Sequence, residues 1–411
     1  MIIKIAQTFV SKGLAAVLSF MLMVVTARYG GSIVRGEISL FITNQAVIIL
    51  FASIVGGPSI VYLTSKVNTG NLFILSYLWS SLACIAISLV ILYTGFVSDD
   101  LYFFLLAISL FSCLFSVNNH FLLGFQKINA FNLMNILQVL ITLIIVCYFF
   151  LWKENAGIYE YVISLLISYG VLLVLSLLYL LSIKKENIDK EDKSWSYYFN
   201  TGFIAQLSNL IQFLNYRLSY YFIALFLSEN DLGLFSTCVI VTESIWLISS
   251  SLAIVGYSKI SSEKDSGVAR NITLQLFRLN ILLTLLPILI LAFIPDRLYT
   301  YLLGNDFHDM KTIVSIMLAG AFILSVHRIM ATYFSGTGKF YINNIASLIG
   351  LTCNILFLYF FLLNYQLIGV AIASTLTYSG IFIYSFYNFR KLTRIRWADL
   401  KFKKEDLDIA L

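Results

Sequence analysis

Four basic side chains, Lys12, Arg217, Arg278 and Arg328, and one acid, Glu243, interrupt the long apolar stretches of this chain. A charge at the centre of a membrane helix costs at least ~2.5–3.5 kcal/mol on insertion scales, so such residues face a bundle interior or a wet cavity and mark what passes through it. A set of four cations and one acid suits an anionic cargo. Arg217 and Glu243 each lie roughly ten residues from the outer end of neighbouring stretches, which at 1.5 Å per residue gives both a depth of about 15 Å. They are candidates for an ion pair. Either the pair only holds the bundle together, or Glu243 takes up a proton and releases Arg217.

Gln206, Asn209, Gln212, Tyr216, Ser219 and Tyr220 share one helical face, with Arg217 at its edge. That many polar groups on one stripe favours a cavity lining over lipid contact. Near the N-terminus, Thr8, Lys12, Ala15, Ser19 and Thr26 form a second stripe. It either lines a cavity or packs on another helix, where small residues are equally favoured. Lys12 is close enough to the helix end to reach the interface with its ammonium. His327 and Arg328 adjoin, so they diverge by about 100° around a helix, and Arg328 is the one expected to point inward. Arg278, near the end of its stretch, reads as an interface residue, and His120 as a satisfied polar residue. The candidates for binding are thus Arg217, Arg328, Lys12, Gln206, Asn209, Gln212, Tyr216 and Tyr220, with Glu243 as the Arg partner or ion-coupling acid. The five cysteines and three histidines have no metal-ligand spacing, so no metal is expected. There is no Gly-rich phosphate-cradling loop and no constellation for nucleophilic or acid–base work, so neither an enzyme nor a cofactor is expected.

The elements that position these residues follow from composition. The chain has 411 residues, 60% hydrophobic and 12% charged, with a mean hydropathy of +0.89. Soluble domains carry roughly 25% charged residues, so the solvent must be lipid. About twelve stretches reach the ~20 residues needed for a crossing. They run over 8–27, 38–56, 72–95, 101–123, 132–152, 159–182, 199–227, 233–257, 274–294, 312–335, 343–363 and 367–389. Long unbroken apolar runs argue for helices and against a β-barrel. With the N-terminus placed in the cytoplasm, eighteen Lys and Arg fall on the cytoplasmic side and five outside, an asymmetry that orients both termini inward. The net charge of +6 is therefore a topology signal, and no nucleic-acid partner is expected.

The halves repeat. Gly124-x-x-Lys127-x-x-x-x-Asn132 recurs as Gly336-x-x-Lys339-x-x-x-x-Asn344, and Phe121 with Tyr333 and Gly157 with Gly369 keep the same offset of 212. Ala27 and Gly36 match Ala224 and Gly233 at an offset of 197. The predicted fold is an all-α polytopic membrane protein: two six-helix bundles related by a pseudo-twofold axis along the membrane normal, facing each other across a cleft, as in parallel-repeat transporters. The predicted boundaries are 1–183 for the N-terminal bundle, 184–198 for a charged cytoplasmic linker, 199–390 for the C-terminal bundle and 391–411 for a basic cytoplasmic tail.

Ala27-Arg28-Tyr29-Gly30-Gly31 with Arg35-Gly36-Glu37, Gly336-Thr337-Gly338-Lys339, and Ile368-Gly369-Val370-Ala371-Ile372-Ala373-Ser374 resemble motifs of the polysaccharide transporters of the multidrug/oligosaccharidyl-lipid/polysaccharide exporter superfamily. The resemblance covers the whole chain, and about twelve spans look like a Wzx-type O-antigen flippase. The drug/cation antiporter branch often carries an acid in its first span, where this chain has Lys12. The resemblance implies that an undecaprenyl-diphosphate-linked oligosaccharide is flipped across the bacterial inner membrane by alternating access. It also implies H+ or Na+ as the coupling ion and a polysaccharide polymerase and chain-length regulator as partners. Arg or Lys would hold the diphosphate by charge-assisted bonds. The alternatives are a drug/cation antiporter of the same fold, or a membrane-bound polymerase or ligase, which usually carries a larger external loop than 295–311.

Overall fold

Hydrocarbon offers backbone amides no water, so a spanning chain must pair them within each segment or in a closed barrel. The computed structural model describes residues 2–64, 66–153, 156–183, 194–263 and 265–401, with the backbone alone at 2–9, 204, 205, 208, 397 and 398. Among these residues there are helices and no strand. They are α1 (Ile2–Gly56), α2 (Ser59–Leu63), α3 (Thr69–Thr94), α4 (Asp99–Gly124), α5 (Ile128–Trp152), α6 (Ile158–Ser182), α7 (Trp195–Phe226), α8 (Glu229–Glu243), α9 (Trp246–Ser262), α10 (Ser266–Phe293), α11 (Asp296–Leu303), α12 (Met310–Gly336) and α13 (Phe340–Thr393). Two of the three prolines stand at helix starts, Pro58 before α2 and Pro295 before α11, and Pro287 alone lies inside a helix, α10.

Among the described residues, eight helices are long and apolar enough to cross a bilayer, and α8 with α9 adds a ninth if the bent pair is one crossing. With 55 and 54 residues, α1 and α13 each exceed twice the ~20 needed for a passage. Each is broken once, at Gly31 (φ 78°) and at Gln366 (φ 50°), so each holds two passages. The 32-residue α7 is long enough but is kept out of the apolar set by its amides and Arg217. The expected number of crossings is thus present, one of them polar. Leu286, Ile290, Leu356 and Phe360 are all more than half exposed, as lipid-facing residues of a membrane protein are. The chain is an integral membrane protein.

Two compact units emerge. The first holds residues 1–210 and 228–233, the second residues 211–227 and 234–411. The boundary therefore passes through α7. Most of the 184–198 linker, residues 184–193, and the tail beyond residue 401 lie outside the described residues, as does the side chain of Thr8. In the first unit α1 packs on α3 and α5, and α4 on α6, around Ile48, Leu105, Ile108 and Val162. In the second unit α12 is central, contacting α9, α10 and α13, with Met330, Tyr333, Phe334 and Phe389 in the core.

The sequence repeat has a structural counterpart in each unit. After α4, the Lys127 amide donates to the Leu122 carbonyl at 2.8 Å, and after α12 the Lys339 amide donates to the Phe334 carbonyl at 2.7 Å. This closes the same left-handed cap twice, with Gln126 (φ 59°) and Gly338 (φ 74°) at its turn. Gly124 packs on Thr64, and Gly336 packs on Ile260 and Ser261; Thr64 and Ser261 are themselves 197 residues apart. The matched Gly36 and Gly233 meet within the first unit. A Cβ on Gly36 would lie 2.0 Å from the Glu229 carbonyl oxygen, and one on Gly233 would lie 1.8 Å from that of Ser32. The Ser32 hydroxyl bonds Asn230 beside them.

Three charges differ from expectation. Arg35, which falls between the expected spans 8–27 and 38–56, lies inside α1 and is buried, because α1 continues through Gly31 with one break and no loop. Arg278 does not snorkel. It is buried and donates to the Asp399 carbonyl at 2.7 Å, while Asp399 pairs with Arg270 at 3.0 Å. The start of the expected tail is therefore folded onto α10, with Ile395 buried in the core. Glu243 is also not the only acid within a span. Glu160 is buried in the first turn of α6, where it pairs with Lys153 and accepts from the Gly157 amide at 2.8 Å.

Two contrasts test this packing. Gly36→Ala must force backbones apart and is expected to destabilise by about 1–3 kcal/mol, whereas Gly13→Ala, with open space around it, is neutral or stabilising by up to ~1 kcal/mol. In the repeated cap, Gln126→Gly relieves a left-handed side chain and Gly338→Gln imposes one, so the two shift stability in opposite directions by about 1 kcal/mol. Melting of the purified protein in detergent measures both contrasts.

Candidate functional site

The polar face of α7 changes partners along its length. In the first unit Gln206 is buried and donates to the Leu50 carbonyl of α1 at 3.2 Å, and Asn209 donates to Gln206 at 2.9 Å. The close approach of α7 and α1 one turn earlier, at Gly202, allows this amide to reach across. From residue 211 the helix belongs to the second unit. There Gln212 donates to the Tyr216 oxygen at 3.0 Å, and Asn215 is locked to α13 through the Ser347 carbonyl at 2.9 Å. Ser219 and Tyr220 are buried.

Arg217 and Glu243 come together. Two parallel hydrogen bonds join the guanidinium to the carboxylate, at 2.9 and 3.0 Å, the fork geometry that makes such pairs strong and directional. The side chains keep 27% and 20% of their exposure, so the pair is shielded without being sealed. Tyr220 supports it with its ring 5.3 Å from the guanidinium carbon.

Glu243 is the last residue of α8, and Trp246 is the first of α9. Between them the helix axis bends by 43° with no proline. At the bend, tighter contacts replace the regular pattern: the Leu247 amide bonds the Ser244 carbonyl at 3.2 Å and the Ile248 amide that of Ile245 at 3.3 Å. Such breaks inside a span are tolerated where neighbours re-satisfy the backbone. Trp246 donates to the Ala321 carbonyl at 3.0 Å. Its ring lies 5.3 Å from Tyr216 and 5.9 Å from Tyr378, and the Arg328 guanidinium lies over it at 4.6 Å. Arg328 also donates to the Ser250 hydroxyl at 2.6 Å. Its Nε is buried without a hydrogen-bond partner among the described residues, and so is Nδ1 of the adjacent His327.

Arg217, Arg328, Tyr216, Tyr220 and Glu243 therefore form one cluster in the second unit, connected through Trp246. Gln206 and Asn209 do not join it, and Lys12 is exposed on α1 of the first unit. The cluster holds two cations and one acid, a net single positive charge. Trp246, Ser250 and Tyr378 complete it and were not among the expected residues. The available signal was a Trp one helical turn beyond Glu243, mid-span and away from the interfacial position where Trp is usual.

No protein-family model matches the chain. A capsular polysaccharide biosynthesis protein, CapF of Staphylococcus aureus, is 24% identical over 166 residues, 40% of this chain. The match spans 42% of that protein's length, less than half. Among solved structures, the lipid II flippase MurJ in an inward closed conformation is similar with a TM-score of 0.78 at 14% identity, covering 95% of this chain and 90% of that one. An inward-facing multidrug resistance MATE family transporter of the MOP superfamily is similar with a TM-score of 0.73 at 12% identity, covering 92% and 96%. The VcmN MATE transporter of Vibrio cholerae, in a variant form, reaches 0.58 at 13% identity over 97% and 98%. The chain has the fold of the MOP-superfamily transporters.

Proposed function

We propose that this protein is a transporter that flips a lipid-linked oligosaccharide, carried on undecaprenyl diphosphate, from the cytoplasmic to the outer leaflet of a bacterial inner membrane. The observation that carries this reading is the Arg328 guanidinium, held over Trp246 and by Ser250 with its Nε–H unanswered. A buried donor without an acceptor costs ~1–3 kcal/mol, and a phosphate oxygen would relieve that cost. The capsular polysaccharide relative and the flippase of like fold favour a glycolipid diphosphate among anions. An asymmetric surplus of Lys and Arg supports cytoplasmic termini.

Glu243 gives the site a switch. While it is ionised, Arg217 is engaged in the fork. A proton on Glu243, or Na+ beside it, weakens that fork and frees Arg217 to join Arg328 on the diphosphate. Ion uptake and cargo binding are then linked, as alternating access driven by a gradient requires. A drug/cation antiporter of the same fold is the second reading. It is disfavoured because the one acid of the cluster is already neutralised by Arg217, which leaves Arg328 as the net charge.

Loss of the protein should leave lipid-linked oligosaccharide in the inner leaflet and remove surface glycan. Continued delivery of units to the outer leaflet would overturn the proposal. Arg217→Lys cannot reproduce the fork and is expected to lower export at least about tenfold, or ~1.4 kcal/mol, in a protein that still assembles. Glu243→Gln should make residual export insensitive to collapse of the proton gradient. Retained sensitivity would reduce Glu243 to a structural partner.

Trp246→Ala removes the ring beneath Arg328, a contact worth up to ~2 kcal/mol when desolvated. It is expected to impair export as much as Arg328→Ala, with Trp246→Phe intermediate. Export assays in a deletion strain, normalised to membrane protein level, measure this order.

A further inference from the structure

A second site lies in the first unit, at the end where Lys66 and Lys127 emerge. Between α1 and α2 the chain turns through Gly57 and Pro58. Pro58, Ser59 and Tyr62 on this side, and Tyr197 and Thr201 in the first turns of α7, line an open pocket of about 520 Å³. That size lies within the range of small-ligand pockets, roughly 300–1,000 Å³. Its walls are fixed. Gly202 packs so closely on α1 that a Cβ there would lie 1.6 Å from the Ile54 carbonyl oxygen, and Tyr198, beside Tyr197, is anchored in the core.

The lining has the chemistry of a sugar site. Tyr62 is half exposed, and with Tyr197 it offers aromatic surface to the C–H face of a ring. Thr201 spends its proton on the Tyr197 carbonyl at 2.7 Å, which leaves its oxygen as an acceptor. Ser59, whose hydroxyl donates to the Ile54 carbonyl at 3.5 Å, has its oxygen as a second acceptor in the lining. Lys66, next to the lining, donates its ammonium to the Tyr62 oxygen and lies 4.1 Å from the centre of that ring. That bond raises the Lys66 pKa above its ordinary value, so Lys66 stays a donor. Hydroxyl oxygens that accept, a neighbouring ammonium that donates and two aromatic rings are the groups that suit the hydroxyls and apolar face of a pyranose.

We infer that this pocket binds a pyranose of the lipid-linked oligosaccharide, and that it selects glycosylated from bare carrier lipid before the diphosphate is engaged. The inference rests on the function proposed above.

The test uses the full chain in detergent, with native mass spectrometry of two probes: undecaprenyl diphosphate, and undecaprenyl diphosphate carrying one N-acetylglucosamine. The wild type should bind the glycosylated lipid at least about tenfold more tightly, or 1.4 kcal/mol. Tyr62→Ala and Tyr197→Ala should lose that preference and keep the affinity for bare undecaprenyl diphosphate, while Tyr62→Phe and Tyr197→Phe, which retain the rings, should keep most of it. Equal wild-type binding of the two probes, or a preference that survives both alanine variants, overturns the pocket assignment and leaves the flippase reading standing. Failure of the wild type to bind either probe overturns the flippase reading, and the pocket assignment with it. Melting temperatures near wild type confirm that each variant is folded.

Discussion

A guanidinium cannot stand bare in hydrocarbon, and the second unit is organised around answering that requirement for Arg217. Glu243 supplies both acceptors of the fork. To reach it, the acid must sit where α8 ends, and the 43° bend follows there. The bend in turn starts α9 at Trp246, whose indole finds the Ala321 carbonyl of α12 and whose face carries Arg328. One charge pair thus sets a helix break, and the break sets the position of the second cation. Removing either partner of a shielded pair leaves an uncompensated charge at a cost of about 3–5 kcal/mol, so this geometry is sensitive to the loss of either residue.

Much of the fold was legible because lipid imposes long apolar runs and helical pairing of the backbone. The spans, the repeat motifs and the charges Arg217, Arg328 and Glu243 could be read from residue type and spacing, whereas Arg35 and Glu160 could not. Arg217 and Glu243 stand out at matching depth because the ends of their apolar stretches fix both positions. What escaped was tertiary. Arg35 looks like a loop residue in sequence, because nothing marks that α1 runs on beyond Gly31. Arg278 looks interfacial, because its acceptor is a backbone carbonyl 121 residues away. The α7 stripe looks continuous, yet its amides serve two different units. Trp246 was hidden among many aromatics whose ordinary place is the headgroup layer.

The duplicated cap shows how weak sequence identity can preserve a physical solution. Gly338 meets the left-handed requirement without a Cβ, and Gln126 meets it with one. The hydrogen bonds at Lys127 and Lys339 are nonetheless the same. What the two copies keep in common is the geometry of the turn, with the glycine before it packed on an earlier helix end, Thr64 after α2 or Ile260 and Ser261 of α9. The cation cluster, by contrast, is found in the second unit, so similar scaffolds carry different chemistry.

The contact between Arg278 and Asp399 has a temporal side. A membrane protein is threaded into the bilayer as it is made, and α10 is inserted long before residue 399 leaves the ribosome. Until then the Arg278 guanidinium lacks that carbonyl, and the Ile395 niche in the core stands unfilled. The second unit therefore cannot finish assembling until Asp399 has been made. Its closure waits for the segment after α13, so a ribosome stalled a few codons short of Asp399 would leave a product whose spans are inserted yet incompletely packed.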